Sequence, residues 1–264
     1  MRLTRRAAVT TLALVSSVAL AACGSTASDT STADGADSAV SGEVTVFAAA
    51  SLQKAYEELA LAFTETNPAA SVSFDFQGSQ DLVAALAEGS SADVLATAST
   101  STMQAAADQG LVEEQTEFAT NVLTLIVPVG NPAGVTGLDA SLEGADLVIC
   151  AAAVPCGEAT ARLAAELGVT LTPVSEEQKV TDVRGKVESG EADAGIVYTT
   201  DAAAAGAAVE SIALPTSSVM NHYPIAVTSQ AKNATAAQAF VDLVLSEAGQ
   251  EVLASYGFGA PAAK

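Results

Sequence analysis

The sequence predicts an α/β protein, because short apolar strands and amphipathic helices alternate along most of its length. Residues 121–128 are almost continuously apolar, which is typical of a strand that is buried on both faces. Residues 43–50 form another apolar strand, and a helical pattern starts directly after it. This strand-then-helix order recurs later in the chain and indicates βα units.

The first βα unit contains a candidate anion site. Apolar residues at helical spacing follow Ser51 as far as Phe63, and Asn67-Pro68 ends the pattern. Ser51 is therefore expected at the N-cap. There the first backbone N–H groups have no helical partner and the helix dipole is positive, so an oxyanion can bind without a formal charge. The alternative is that Ser51 only caps its helix.

The next two units are predicted from similar patterns. Val72, Phe74 and Phe76 alternate in a second strand, and a helix is expected over residues 81–88. Ser79, which lies between them, repeats the position of Ser51. A third strand is predicted over 93–97 and a helix over 101–109, which Gly110 ends.

A second set of elements starts at the buried strand over 121–128. In order, the patterns predict a strand over 146–150, a helix over 158–167, strands over 194–198 and 225–228, and helices over 232–246 and 247–256. Gly168 is placed to end the helix before it. No sequence repeat is evident at a fixed period.

The N-terminus indicates the compartment. Arg2, Arg5 and Arg6 precede an apolar run over 7–19, and Leu20-Ala21-Ala22-Cys23 resembles a bacterial lipoprotein signal. The resemblance implies that residues 1–22 are removed and that Cys23 is acylated, which would anchor the protein on the extracytoplasmic face of the cell membrane. A membrane-spanning anchor is the alternative, but the apolar run is shorter than the roughly 20 residues of a span.

Residues 23–42 are predicted to be a disordered tether. From Gly24 to Gly42 the composition is mainly Ser, Thr, Ala, Gly and Asp, with too few apolar residues to form a core. The remaining residues, 43–264, are enough for one large domain or two lobes.

The charge balance excludes nucleic acid as a partner. After residue 22 the chain has seven basic and 31 acidic residues, a net charge of −24, and the basic residues are scattered. An anionic ligand would be repelled at long range. An oxyanion site must therefore act at short range, through oriented hydrogen-bond donors.

Several motifs together resemble the molybdate-binding proteins of ABC importers, in the type II periplasmic-binding-protein superfamily. The similarity covers about residues 43–258, with the motifs in the right order. They are Val46 to Leu52, Gly78-Ser79, Ala92-Asp93-Val94, Val154-Pro155-Cys156-Gly157, Asp182-Val183-Arg184, Gly195-Ile196-Val197-Tyr198 with Asp201, and Tyr223-Pro224-Ile225.

This resemblance implies a two-lobed α/β fold, in which each lobe is a mixed sheet flanked by helices and the ligand lies between the lobes. Residues 43–118 plus 219–264 would form the first lobe and residues 119–218 the second. Molybdate, and tungstate as a close analogue, would be bound by the Ser51 and Ser79 hydroxyls, the Cys156 and Val183 backbone N–H groups and the Tyr198 hydroxyl. The resemblance implies a monomer without cofactor, which delivers its ligand to a membrane permease.

The ligand itself is open to alternatives. Molybdate carries no proton at neutral pH, so a site made of donors suits it. Sulfate would suit the same donors. A phosphate site would add an acceptor for the phosphate proton; Asp81 could act as one, or could simply favour the helix dipole.

Two cysteines lie close together in the resembling region. Cys150 and Cys156 are six residues apart, and in an exported protein such a pair suggests a disulfide. It would hold the intervening loop and the Cys156 amide. Two buried free thiols are the alternative.

A secreted enzyme is the rival class of function. The chain has one histidine, His222, and no Gly-x-Ser-x-Gly sequence, so a hydrolase nucleophile with its base is not recognisable. One histidine and two cysteines also fail to make a zinc ligand set.

Overall fold

The computed structural model describes residues 40–262, which form ten strands and eight α-helices. The strands are β1 Ser41–Ala49, β2 Ala69–Gln77, β3 Val94–Ala96, β4 Val112–Asn121, β5 Leu123–Pro128, β6 Leu147–Cys150, β7 Ser175–Glu177, β8 Ala194–Tyr198, β9 Val209–Ile212 and β10 Asn221–Thr228. The helices are α1 Gln53–Thr66, α2 Ser79–Ala87, α3 Thr100–Asp108, α4 Pro155–Leu167, α5 Val180–Glu188, α6 Thr199–Ala205, α7 Ala234–Leu245 and α8 Glu247–Ser255.

The strands form two mixed sheets of five. The first sheet has the order β2-β1-β3-β10-β4 and the second the order β7-β6-β8-β5-β9. In each sheet the first three strands are parallel, and the fourth is antiparallel to both of its neighbours. The two sheets therefore share one plan, which leaves the carboxyl ends of three parallel strands together at one edge of each.

Each sheet has its own hydrophobic core. The first core centres on Tyr56, Phe63 and Phe240, whose rings meet edge to face at centroid distances of 5.6–5.8 Å. The second contains Leu125, Ile196 and other residues of β5, β6, β8, α4 and α5. A smaller core lies between α2, α3 and the first sheet. The predicted α/β class with two mixed sheets is confirmed.

Most predicted elements are present, with shifted ends. β8 has the predicted bounds, and Gly168 ends α4 in the left-handed conformation, with φ of 66°. β1 begins at Ser41, inside the predicted tether, and Val40 packs against the first core. The ordered domain therefore starts before residue 43.

Ser51 is not an N-cap, so that prediction is wrong. After β1 the chain makes one 3₁₀ turn, Ala50–Leu52, and the α-helix begins only at Gln53 with Leu52 as its N-cap. Ser51 lies inside this tighter turn. α2 begins at Ser79, two residues before the predicted start, with Gly78 at its N-cap in an extended conformation.

Five elements were not predicted, namely β4, β7, β9, α5 and α6. β7 is Ser-Glu-Glu and β9 is Val-Glu-Ser-Ile, which are too short and polar to show a strand period. β4 begins with Val-Glu-Glu-Gln, and a continuous run of buried residues comes only in its last four positions. In each case tertiary pairing, rather than local composition, determines the strand.

No helix in residues 40–262 has both the length and the hydropathy that a membrane crossing requires. The predicted signal peptide, the acylation site Cys23 and the tether up to residue 39 lie outside the described residues.

Candidate functional site

A small cavity lies where the carboxyl ends of the parallel strands of both sheets meet. The space in it that the centre of a water molecule can occupy is about 10 Å³. The carboxyl edge of parallel strands is where open α/β folds usually bind ligands. The lining residues are Ala49, Ala50, Ser51, Gln77, Gly78, Ser79, Ala98, Val154, Pro155, Cys156, Lys179, Val180 and Tyr198.

The N-termini of three α-helices converge on this cavity. Ser79 is the first residue of α2, Pro155 and Cys156 are the first two of α4, and Val180 is the first of α5. Their first N–H groups have no helical acceptor, and the helix dipoles are positive here. Lys179 is the only charged residue among those that line the cavity. The lining therefore carries one positive side chain and no carboxylate.

Two serine hydroxyls face the cavity from the first sheet. Ser79 is fully buried, and its Oγ accepts a hydrogen bond of 3.1 Å from the backbone N–H of Ala98. Ser51 Oγ lies 3.1 Å from the Tyr223 hydroxyl. The O–H group of Ser79 therefore remains available to a ligand.

Tyr198 brings a hydroxyl from the second sheet. It ends β8, is almost completely buried, and its oxygen accepts a hydrogen bond of 2.9 Å from Nδ2 of Asn221. Burial raises the pKa of Tyr198 well above its usual value, and Tyr223 and Asp201 add to the effect. The phenol therefore keeps its proton at neutral pH and can donate it.

The edges of the two sheets touch beside the cavity. Gln80 Nε2, on α2, donates to the backbone oxygen of Gln178 at 3.1 Å. Ser101 Oγ, on α3, donates to Glu158 Oε2, on α4, at 2.7 Å. Gly78 approaches so closely that an added Cβ would lie 2.3 Å from the same Gln178 oxygen. These contacts close the cleft around the cavity.

Four of the five predicted contact residues lie together at this cavity, namely Ser51, Ser79, Cys156 and Tyr198. Val183 does not line it: its side chain is fully buried in the second core, one helical turn after Val180. The sequence analysis missed Lys179, Val180 and Ala98. The junction of β7 with α5 has the same strand-to-helix form as the junction at Ser79, but the short polar β7 gives no signal that reveals it.

The sequence matches the family model described as bacterial extracellular solute-binding protein over residues 44–259. The protein belongs to this solute-binding family. A relative from Mycobacterium tuberculosis, named molybdate-binding protein ModA, is 40% identical over 221 residues, which cover 83% of this chain and 85% of the relative. A Bacillus subtilis relative, named putative ABC transporter substrate-binding lipoprotein YvgL, is 28% identical over 239 residues. These residues cover 85% of this chain and 89% of the relative.

The structure of the periplasmic molybdate-binding protein of Azotobacter vinelandii superposes on this solute-binding protein with a TM-score of 0.73 at 19% identity. The match covers 83% of this chain and all of the other. It confirms the predicted two-lobed periplasmic-binding-protein fold. Membership of a solute-binding family also confirms that the protein is a transport component and not an enzyme. Residues 40–262 contain no cluster of three His, Cys, Asp or Glu side chains that could hold a metal ion.

The predicted disulfide of this solute-binding protein is present. Cys150, at the end of β6, is bonded to Cys156, and their Cα atoms are 5.7 Å apart. Both residues are buried. Gly157 packs against the same loop, since a Cβ there would lie 1.9 Å from the backbone oxygen of Ala151. The loop therefore holds the first turn of α4, and with it the Cys156 N–H, in place.

Replacing both cysteines, in C150A/C156A, is expected to lower the free energy of unfolding by about 2 kcal/mol, since the bond closes a short loop. Urea unfolding measures this. Wild type in reductant is the matched control and should unfold like the variant. An unchanged midpoint in both would contradict the prediction.

Asp201 carries a buried carboxyl beside Tyr198. It is 2% exposed, and Oδ2 has no hydrogen-bond partner among the described residues. Burial raises its pKa to about 7, while Arg184 acts in the opposite direction. The folded protein therefore binds this proton more tightly than the unfolded chain does.

Because the folded pKa of Asp201 is raised, its contribution to stability is present below pH 4 and is lost as the pH rises to about 7. D201N should therefore gain stability relative to wild type across that window, as measured by thermal unfolding at successive pH values. D139N is a control with the opposite pH dependence. Hydrogen bonds from Ser141 lower the pKa of Asp139, so its contribution to stability is lost as the pH falls. Parallel curves for wild type and D201N would disprove the prediction.

Proposed function

We propose that this protein captures molybdate, and tungstate with it, outside the cell and delivers it to the permease of an ABC importer. The observation that carries the proposal is the lining of the cavity: three hydroxyls and three helix N-termini, with no carboxylate. The likeness to the relatives named molybdate-binding protein supports the same ligand.

The donor set suits a tetrahedral dianion. Molybdate at neutral pH has four oxygens that only accept hydrogen bonds, and bonds from neutral donors to a charged acceptor are strong in a buried site. A protonated oxyanion such as hydrogen phosphate would also need an acceptor. Asp81 is exposed in the first turn of α2 and does not line the cavity, so it does not supply one.

In this proposal Ser51, Ser79 and Tyr198 bind the oxyanion through their hydroxyls, and Cys156 binds it through its backbone N–H. The Val183 contact stays a prediction. The N–H of Val180, at the start of the same helix, is the alternative donor because Val180 lines the cavity. Lys179 would attract the dianion locally and offset the net negative charge of the chain.

The proposed lobes are residues 43–118 plus 219–264, and residues 119–218. Ser51 and Ser79 belong to the first lobe, and Cys156 and Tyr198 to the second. A ligand that needs both sets of donors binds the closed form more tightly than the open form and shifts the population towards it. The permease would then recognise the closed protein. No cofactor is required.

We further propose that the protein is a monomer on the extracytoplasmic face of the membrane, held by a lipid on Cys23. The lipoprotein-like N-terminus supports this location, as does the likeness to a relative named a lipoprotein.

Thermal unfolding of the purified protein with and without oxyanions tests the ligand. A ligand at 100 times its dissociation constant stabilises the folded state by about 2.7 kcal/mol. Molybdate and tungstate should raise the unfolding temperature, whereas sulfate and phosphate at equal concentration should not. An equal shift with sulfate or phosphate would make this a binding protein for another oxyanion, and no shift with any of them would overturn the proposal.

A further inference from the structure

The disulfide between Cys150 and Cys156 lies in the wall of the cavity. Cys150 ends β6, and Cys156 is the second residue of α4 and lines the cavity. Both residues are buried, with exposed fractions of 1% and 2%. In the proposed function the backbone N–H of Cys156 donates to the oxyanion. A group that can be reduced is therefore part of a residue that contacts the ligand.

The first turn of α4 is covered from the side of the first sheet. Asn221, on β10, donates through Nδ2 to the backbone oxygen of Pro155 at 3.4 Å. Ser101 Oγ, on α3, donates to Glu158 Oε2 at 2.7 Å. These two contacts lie on either side of Cys156 in the sequence, and both connect the first sheet with the second. Separation of the sheets breaks both contacts and uncovers the side of α4 on which Cys156 lines the cavity.

Reduction of the disulfide requires a movement in a packed region. Two thiol sulfurs each carry a hydrogen atom and must lie farther apart than two bonded sulfurs. The loop that the bond closes has no slack against α4, because a Cβ at Gly157 would lie 1.9 Å from the backbone oxygen of Ala151. The backbone N–H of Ala151 is also bonded to the oxygen of Glu177 at 2.9 Å, which holds the loop in place. The first turn of α4, which carries the Cys156 N–H, must therefore shift.

We propose that the Cys150–Cys156 disulfide is a redox switch of ligand capture: the oxidised protein binds the oxyanion, the bound oxyanion shields the disulfide from a dithiol, and reduction weakens binding. This inference rests on the proposed oxyanion function. Ligand affinity and disulfide reduction are linked, so each changes the other by the same factor. If the reduced protein binds tenfold more weakly, saturating ligand lowers the reduction potential of the disulfide by about 30 mV.

The reaction balances with a dithiol as the reductant. One thiolate of the dithiol attacks Cys156 Sγ, the S–S bond breaks, and Cys150 Sγ leaves as a thiolate that takes up a proton. The second thiolate of the dithiol then attacks the mixed disulfide and releases the Cys156 thiol. The dithiol ends as a disulfide, and the protein gains two electrons and two protons. The attack requires the open cleft, because Cys156 lines the cavity and Cys150 does not.

Dithiothreitol is the probe for the shielding. The oxidised full-length protein is incubated with it, samples are alkylated, and mass spectrometry of the peptides that carry Cys150 and Cys156 gives the rate of reduction. Since only the ligand-free open form should react, molybdate at 100 times its dissociation constant should slow reduction about 100-fold. Equal rates with and without molybdate overturn the inference.

S51A/S79A is the matched control, because it keeps the disulfide and removes two of the proposed ligand contacts. The same concentration of molybdate should slow its reduction by less than about twofold, since the weakened site stays largely empty. Full protection in S51A/S79A would mean that molybdate acts on the dithiol and not through the site. That result also overturns the inference.

Calorimetric titration of the reduced protein, after the dithiol is removed without air, tests the effect on binding. We expect molybdate affinity to fall about 10-fold, the effect of weakening one hydrogen bond to a charged ligand, and reoxidation should restore it. C150A/C156A is the control and should bind equally before and after the same treatment. Reduced protein that binds like oxidised protein, or that has lost its thermal unfolding transition, overturns the switch and leaves the proposed function intact. Oxidised protein that binds no oxyanion overturns both.

Discussion

The double substitution S51A/S79A is expected to weaken molybdate binding by about 100-fold or more. Each serine would donate one hydrogen bond to a buried dianion, and a bond to a charged group contributes about 1.5–3 kcal/mol. Ser79 is fully buried, so bulk water does not replace the lost hydrogen bond. Its removal also leaves the Ala98 N–H without its acceptor. Calorimetric titration of the variant with molybdate gives the change in affinity.

S73A is the matched control, because Ser73 lies on β2 of the same sheet but does not line the cavity. It should bind molybdate like wild type. If S51A/S79A binds molybdate as tightly as S73A does, the oxyanion does not bind in this cavity.

G78A should be the strongest single substitution against closure. Gly78 has φ of −60°, which alanine adopts readily, so the backbone at this position is not the obstacle. The obstacle is the backbone oxygen of Gln178, only 2.3 Å from an added Cβ. Gly78 precedes α2 beside the first sheet, whereas Gln178 follows β7 of the second. The added methyl group therefore holds the two sheets apart.

Forcing an extra carbon into a packed contact costs about 1–3 kcal/mol, so G78A should bind molybdate roughly 5- to 150-fold more weakly than wild type. The ligand-free variant should keep its unfolding temperature, because an open form avoids the clash. G185A is the control, since a Cβ at Gly185 meets nothing within 4 Å. A G78A variant with wild-type affinity would show that this contact does not limit closure.

The sequence predicts the parts of the site that lie on strongly apolar strands. β1, β2 and β8 have clear periods, and the residues that follow or end them, Ser51, Ser79 and Tyr198, all line the cavity. Cys156 was found by its motif and by its partner Cys150. Site residues at the ends of such strands can be predicted from the sequence, because a buried strand requires apolar residues.

The parts of the site that the sequence analysis missed depend on strand pairing, which local composition does not show. β7 is three polar residues whose strand conformation comes from its ladder with β6, and it carries Lys179 and Val180 to the cavity. The 3₁₀ turn at Ser51 is likewise a consequence of packing, since the helical pattern alone places an N-cap there.

The order of strands also determines when each half of the protein can fold. The second sheet uses strands from one continuous stretch, β5 to β9, so all of it is available before the chain is finished. The first sheet needs β10, the last strand made, between β3 and β4. Until β10 arrives, two edges that are interior in the native protein stay open to wrong pairing. Loss of C-terminal residues should therefore spare the second sheet and leave the first as the source of aggregation.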